Sequence, residues 1–196
     1  MDTAKTRKRK DPADTRRRIV QATVALHEDV GPANTTISAI AQRAGVQRLT
    51  VYRHFPDEQS LLAACSSHWI GEHPFPDPAQ WAGLGDPGKR LAAALRTLYA
   101  YYRDEERMLA RTLRDEPEVP ALAEVMVPFH SYLREIAASL ATGWGVAAEA
   151  QRLVRAAVGH SVRFETYRSL AAQGLSVQEA AELMTVFVSD LAARDR

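Results

Sequence analysis

Residues 37–56 read ISAIAQRAGVQRLTVYRHFP, and their small, glycine and apolar residues fall at helix-turn-helix spacing. Counting from Ile37, the fifth position is Ala41, where two crossing helices need a small side chain for their backbones to approach. The ninth position is Gly45, where the turn favours a positive φ that glycine adopts without steric cost. We therefore expect two short helices joined by a tight turn at Gly45.

The second of these helices should point polar side chains away from the protein. The inward positions of the motif are apolar and comprise Ile40, Ala44, Val46 and Val51. The outward positions are polar and comprise Gln47, Arg48, Thr50 and Arg53. Such outward groups suit contacts with base edges and phosphates. An ordinary αα-hairpin stays the alternative, because spacing of this kind also matches many unrelated segments.

A longer run, residues 35–62, reads TTISAIAQRAGVQRLTVYRHFPDEQSLL and is more specific than the spacing. Its ordered elements Thr, IA, AGV, TxYxHF and LL resemble the DNA-binding domain of the TetR family of one-component repressors. With the helix before it, the resemblance covers roughly the first third of the chain. It implies an all-α fold, with an N-terminal three-helix helix-turn-helix DNA-binding domain and a C-terminal helical ligand-binding and dimerisation domain.

The N-terminal half of the second motif helix is the part that meets base edges in such a fold. Arg48 can form a bidentate contact with guanine, and Gln47 with adenine. In the TxYxHF element of the family, the tyrosine and the histidine are expected to hold phosphates, although His54 has packing against the first helix as an equal alternative. The predicted DNA-binding residues are Thr36, Gln47, Arg48, Leu49, Thr50, Tyr52, Arg53 and His54.

Two positions depart from the family pattern. Glu58 stands where a lysine that contacts phosphate is common, and Leu49 stands where a small residue is frequent. The segment KTRKRK at residues 5–10, together with Arg16, Arg17 and Arg18, is an alternative source of positive charge. The two departures leave the detailed pose on DNA open.

The charge of the chain is divided between its two parts. The net charge is only +1, but residues 1–56 carry 11 Lys and Arg against 5 Asp and Glu, whereas residues 57–196 carry 14 against 19. A basic end suits a polyanionic partner, and a merely solubilising charge run is the alternative. We divide the chain into a disordered basic arm (1–10), a helix-turn-helix domain (11–58), a connecting helix and loop (59–88) and a ligand-binding and dimerisation domain (89–196).

Beyond residue 89 the apolar residues recur with the 3.6-residue period of helices. We expect one long helix over residues 122–140 with a kink at Pro128, and two final helices over about 147–172 and 176–193. These final helices are apolar on two sides, which predicts a second neighbour for each. A homodimer through the two C-terminal helices satisfies this pattern, and an additional helix of the same chain is the alternative.

A ligand pocket in the second domain is implied by the family resemblance. Aromatic rings with polar tips recur among its helices and suit an aromatic or amphipathic small molecule. Periodicity places His160, Phe164 and Tyr167 on one face, although a packed core histidine is the favoured interpretation of His160 considered alone. The predicted ligand-binding residues are Tyr99, Tyr102, Phe129, His160, Arg163, Phe164 and Tyr167.

Other classes of protein find little support in the residues. The spacing Gly143, Gly145, Ala148 matches a dinucleotide-binding pattern but follows a helix instead of a strand, and no catalytic or zinc-site motif is present. No apolar run approaches the ~20 residues of a membrane span. Cys65 is a single thiol in an apolar helical stretch, which favours a packed core residue in a reducing compartment. We expect a cytoplasmic protein without cofactor, metal or enzymatic activity.

The functional hypothesis is therefore a transcriptional repressor that leaves its double-stranded DNA operator when a small-molecule effector binds. A ligand-independent dimeric DNA binder and an activator are the alternatives, because no residue separates them from a repressor.

Overall fold

The computed structural model describes residues 11–194, and over this range the all-α prediction is confirmed. The predicted basic arm, residues 1–10, lies outside the described residues. The helices are α1 (Pro12–Val30), α2 (Ile37–Ala44), α3 (Arg48–His54), α4 (Glu58–Glu72), α5 (Ala79–Ala82), α6 (Pro87–Asp104), α7 (Glu106–Asp115), α8 (Pro120–Val125), α9 (Val127–Leu140), α10 (Ala148–Ser161), α11 (Phe164–Ala171) and α12 (Val177–Ala193). A 3-10 turn (Pro32–Asn34) follows α1.

The first helix is bounded by local signals in the sequence. The side chain of Asp11 accepts a hydrogen bond from the Ala13 N–H at 3.0 Å, and Pro12 occupies the first helical position. Both features stabilise a helix start, because the first N–H groups have no intrahelical partner. The helix ends before Gly31, whose φ of 91° is open to glycine.

The chain forms two compact units. The first comprises residues 1–73 and 110–125, and the second comprises residues 74–109 and 126–196, in each case where they are described. Residues 110–125 thus group with the helix-turn-helix segment, although they fall inside the predicted range 89–196. Within the first unit, Arg111 Nε donates to the Glu28 carbonyl at 2.5 Å and Asp115 Oδ2 accepts from the Ala33 N–H at 3.0 Å. These bonds attach the segment to the end of α1.

The core of the first unit lies among α1, α2, α3 and α4. It is formed by buried apolar residues that include Ile19, Val20, Ile40, Ala41, Val51, Phe55, Leu61 and Cys65. Cys65 is 3% exposed, and burial raises the pKa of its thiol to about 12. The thiol is therefore protonated at neutral pH and part of the core, as the sequence favours.

The predicted long helix over residues 122–140 is wrong, because the chain forms α8 and α9 with a break at Met126. Met126 is the N-cap of α9, and Pro128 lies in the first turn of that helix. Proline lacks an N–H group and is tolerated there, where N–H groups have no intrahelical partner. Pro128 therefore lies in the first turn of a new helix instead of kinking a continuous one.

The predicted helix over residues 147–172 is likewise two helices, α10 and α11, which are separated at Val162 and Arg163. The break has a tertiary cause. The hydroxyls of Tyr99 and Tyr102 donate to the carbonyls of Ser161 and Val162 at 2.7 and 2.6 Å. Carbonyls at a helix end lack intrahelical partners, so these two bonds favour an end at this point.

Candidate DNA-binding surface

The turn between α2 and α3 has the geometry that the motif spacing predicts. Gly45 is left-handed, with φ 62° and ψ 43°, and its N–H donates to the Gln42 carbonyl at 3.1 Å. The N–H of Val46 donates to the Ala41 carbonyl at 2.9 Å. These bonds end α2 and direct the chain into α3, as a glycine at this position of a helix end allows.

The α3 helix has one buried side and one exposed side. Val51 is fully buried, whereas Leu49 is 76% exposed and Tyr52 is 45% exposed. Among the other predicted DNA contacts on this segment, Gln47, Arg48 and Arg53 are exposed, and Thr50 and His54 are half-buried. The structure therefore brings seven of the eight predicted side chains together on a helix of seven residues and its N-cap.

The eighth predicted residue, Thr36, lies at the start of α2. Its hydroxyl accepts a hydrogen bond from the Ala39 N–H at 3.1 Å, so it acts as the N-cap of that helix. The side chain is also exposed. A cap of this kind leaves the hydroxyl proton free to donate, which is the property that a phosphate contact requires.

The departure at Glu58 has a structural explanation. Asp57 is the N-cap of α4, and its carboxylate accepts from the Ser60 N–H at 2.7 Å. Hydrogen bonds from the Ser60 backbone and side chain hold the pKa of Asp57 below its ordinary value. Glu58 occupies the first turn, where a negative side chain stabilises the positive end of the helix dipole. These acidic residues therefore favour the start of α4.

Three arginines of α1 were alternative sources of positive charge, and each has an internal partner. Arg16 lies over the Phe55 ring, with 4.6 Å between the guanidinium carbon and the ring centroid. Arg17 pairs with Asp14 at 2.5 Å. Arg18 Nη2 donates to the carbonyl of Ala44 and lies 3.4 Å from that of Gly45. The contact between Arg18 and the turn has no local signal in the sequence, because it joins residues 26 positions apart.

The predicted ligand residues of the second unit lie in two environments. Five of them are buried, with exposures of 0 to 4%, and comprise Tyr99, Tyr102, Phe129, Phe164 and Tyr167. The rings of all but Phe129 contact one another, as Tyr102 does with Phe164 at a centroid distance of 5.5 Å, whereas Phe129 contacts the Phe75 ring. Burial raises the pKa of Tyr99 and of Tyr102 above the ordinary value, so both hydroxyls remain donors to their carbonyl partners. These five side chains form part of a packed core.

The remaining two, His160 and Arg163, are exposed at an open groove of about 460 Å³. Arg163 Nε lies 3.4 Å from a carboxylate oxygen of Glu165, and both side chains are more than half exposed. Sequence reasoning did not identify the other lining residues, which are Glu165, Thr166, Ser169, Leu170 and Met184. These positions follow the break between α10 and α11, which the sequence pattern does not show.

The α10 and α12 helices pack against each other and also carry apolar side chains on an open face. Val154, Val158 and Val188 are fully buried between elements of the second unit. In contrast, four large apolar side chains are 42 to 55% exposed: Leu153, Leu183, Val186 and Phe187. Within the described residues these side chains remain uncovered. Three of them give α12 the second apolar side predicted for it, whereas Leu153 is the one large apolar side chain that α10 exposes.

Comparison with known proteins agrees with the geometry of the first unit. Residues 19–65 match the family model described as bacterial regulatory proteins, tetR family. An uncharacterized HTH-type transcriptional regulator of Mycobacterium tuberculosis strain H37Rv is 42% identical over 62 residues, which is 32% of this chain and 33% of that protein. The match thus spans about a third of the length of the curated relatives.

Solved structures resemble the chain over almost its whole length. A TetR-like transcriptional regulator from Rhodococcus sp. RHA1 has a TM-score of 0.62 at 22% identity and covers 95% of this chain and 97% of its own. A TetR transcription regulator from Haloarcula marismortui has a TM-score of 0.57 at 19% identity, with 93% and 98% covered. At such identities the likeness shows the fold. Within residues 11–194, none of the helices is long and apolar enough to cross a membrane.

Proposed function

We propose that the chain belongs to the TetR family of bacterial regulatory proteins, whose family model matches residues 19–65, and that it is a transcriptional regulator that binds a double-stranded DNA operator through α3. The observation that carries this proposal is the exposed side of α3, where Gln47, Arg48 and Leu49 stand together above the buried Val51. A helix of this kind fits the major groove and reaches base edges with its N-terminal residues.

A homodimer through α10 and α12 is part of the proposal. The four exposed apolar side chains of these helices would be removed from water in such an interface, which favours association by roughly 25 cal/mol per Å² of apolar surface. Two-fold symmetry would then present two copies of α3 to half-sites about 34 Å apart. A palindromic operator follows from this symmetry.

Release by a small molecule is the finer part of the proposal. The groove beside His160 and Arg163 offers an imidazole and a guanidinium to a ligand, and a cationic guanidinium suits an acidic group. A ligand causes release when it binds more tightly to the conformation whose α3 spacing does not fit the operator. We assign the chain to the cytoplasm, where this DNA lies, and assign it no catalytic residue, metal or cofactor.

Selection from a library of random duplexes, followed by binding assays on the enriched sequence, tests the proposal. We expect a palindrome with half-sites one helical turn apart and a protein that is dimeric by light scattering. Replacing Arg48 and Thr50 together by alanine should lower discrimination by roughly 1–3 kcal/mol for each lost base contact. A monomeric protein without an enriched sequence would refute the proposal.

The same assay distinguishes the alternatives. Screening a metabolite library against the bound operator should identify compounds that weaken binding if the protein is a ligand-released repressor. Operator affinity that no compound changes would favour the ligand-independent dimeric binder. Transcription that rises when protein is added to a template bearing the operator would favour an activator.

A further inference from the structure

One arginine of α1 contacts the turn before α3 and another contacts the C-cap residue after it, and we propose that Arg16 and Arg18 are positioning residues that set the pose of α3 on DNA. This inference rests on the proposed function. In this inference the two side chains affect how well the protein discriminates between DNA sequences, although neither of them contacts the DNA.

The Arg18 contact lies at the N-terminal side of α3. Its Nη2 donates to the Ala44 carbonyl and lies 3.4 Å from the Gly45 carbonyl, two positions before the α3 N-cap Gln47. The last carbonyls of a helix lack intrahelical partners and carry the negative end of its dipole. A guanidinium donates hydrogen bonds and carries a positive charge, so it suits such carbonyls. Because the bond to Ala44 is partly buried, water competes with it less than at an open surface.

Gly45 makes this approach possible. A Cβ atom added at position 45 would lie 2.9 Å from Arg18 Nη2, and the residue also has a positive φ. Glycine therefore serves both the turn and the guanidinium, because a side chain there would strain the backbone and displace the arginine. The position of the turn is thus coupled to Arg18.

The Arg16 contact lies at the other end of α3. Phe55 is the C-cap of that helix, its N–H donates to the Val51 carbonyl at 2.9 Å, and its ring is 2% exposed. The guanidinium of Arg16 covers this ring at 4.6 Å, within the range of a cation–π interaction. Because α3 has only seven residues, one contact at the turn before it and one at its C-cap restrict its translation and rotation over the core.

This arrangement has a consequence for specificity. Hydrogen bonds to base edges weaken steeply once the donor angle or distance departs from the preferred range. A helix that shifts relative to the core loses this geometry at several bases together, whereas phosphate contacts by flexible side chains tolerate the shift. Arg18 and Arg16 should therefore affect discrimination between sequences more than they affect total affinity for DNA.

The test measures the affinity of the full-length protein for its selected operator and for a random duplex, each as a function of salt. The variants are Arg18→Met, Arg18→Lys and Arg16→Met, assayed where circular dichroism shows them to be folded. We expect Arg18→Met to reduce the operator-to-random affinity ratio by about tenfold, with the salt slope retained. Lysine keeps the charge but lacks the planar guanidinium, so Arg18→Lys should have an operator-to-random affinity ratio between those of the wild type and Arg18→Met. If Arg18→Met does not fold, the lysine variant tests the role of Arg18 in its place.

Arg17→Met is the matched control, because it removes the same charge from the same helix at a side chain that pairs with Asp14. Whatever its effect on affinity, the operator-to-random ratio should stay within about twofold of the wild type, as for a phosphate contact.

Three results separate the interpretations. If Arg18→Met weakens both duplexes equally and lowers the salt slope by about one, Arg18 is a phosphate ligand and the inference is wrong. Ratios unchanged in every Arg16 and Arg18 variant would also overturn it, while leaving the proposed function intact. A wild-type protein that does not distinguish operator from random DNA would instead overturn the proposed function on which the inference rests.

Discussion

The α3 helix exposes several of its polar side chains, whereas α6 buries two of its three tyrosines. On α3, Arg48 and Tyr52 extend into solvent above a buried Val51. On α6, Tyr99 and Tyr102 are fully buried, and their hydroxyls are bonded to carbonyls at the end of α10. Both regions carry polar groups, but only those of α3 are exposed to a binding partner.

The difference shows that a polar tip is free for binding only when the fold has not already used it. A buried hydroxyl that donates to a carbonyl stabilises the fold, and a ligand that competed for it would leave a buried acceptor unsatisfied. The exposed groups of α3 carry no such cost. Substitutions should therefore divide into those that unfold the protein and those that leave it folded with altered binding.

The largest expected effect is on stability, from Tyr102→Ala. The change empties a fully buried site among aromatic rings, and such truncations cost roughly 3–5 kcal/mol. Urea unfolding followed by circular dichroism measures this loss. Tyr102→Phe is the matched control: it keeps the ring and removes the bond to Val162, so it should cost about 1–3 kcal/mol. Unchanged stability in both variants would contradict the conclusion that the buried tyrosines of α6 stabilise the fold.

The buried side chain of His27, in the first unit, extends the contrast. We expect burial to decide whether a substitution changes stability, whichever unit the residue belongs to. His27 is 7% exposed. Burial lowers its pKa from 6.5 to about 4, partly opposed by the charge of Asp115. The unfolded chain therefore binds the proton more tightly than the folded chain, and protonation favours unfolding.

Stability should consequently fall as the pH decreases from about 6.5 towards 4, and this loss should be absent in His27→Gln. By linkage, the wild type should lose about 2 kcal/mol more than the variant between pH 7 and pH 5. Urea titrations at the two pH values measure the difference, in which contributions from carboxylates common to both proteins cancel. Parallel pH profiles would show that folding does not lower the pKa of His27.

The same contrast explains which features the sequence could predict. The α2–α3 turn depends on local requirements at Ala41 and Gly45, so its geometry follows from the spacing of residues. The environment of Tyr102 depends on a bond to Val162, which is 60 positions away, and an aromatic period along α6 fits a core and a pocket equally. The break between α10 and α11 has the same tertiary origin. The residue pattern of a helix indicates which side is apolar or aromatic, but it does not indicate what packs against that side.

The smallest expected effect is that of His160→Ala. The side chain is exposed at the groove, so its removal should change the free energy of unfolding by no more than about 0.5 kcal/mol. Thr166→Val is the informative partner, because its hydroxyl donates to the His160 carbonyl at 2.6 Å and is buried. That change should cost about 1 kcal/mol in the same urea titrations. If the histidine variant instead lost more than the valine variant, the imidazole would be part of the packed core, and His160 would belong with the tyrosines of α6 and not with the available side chains of α3.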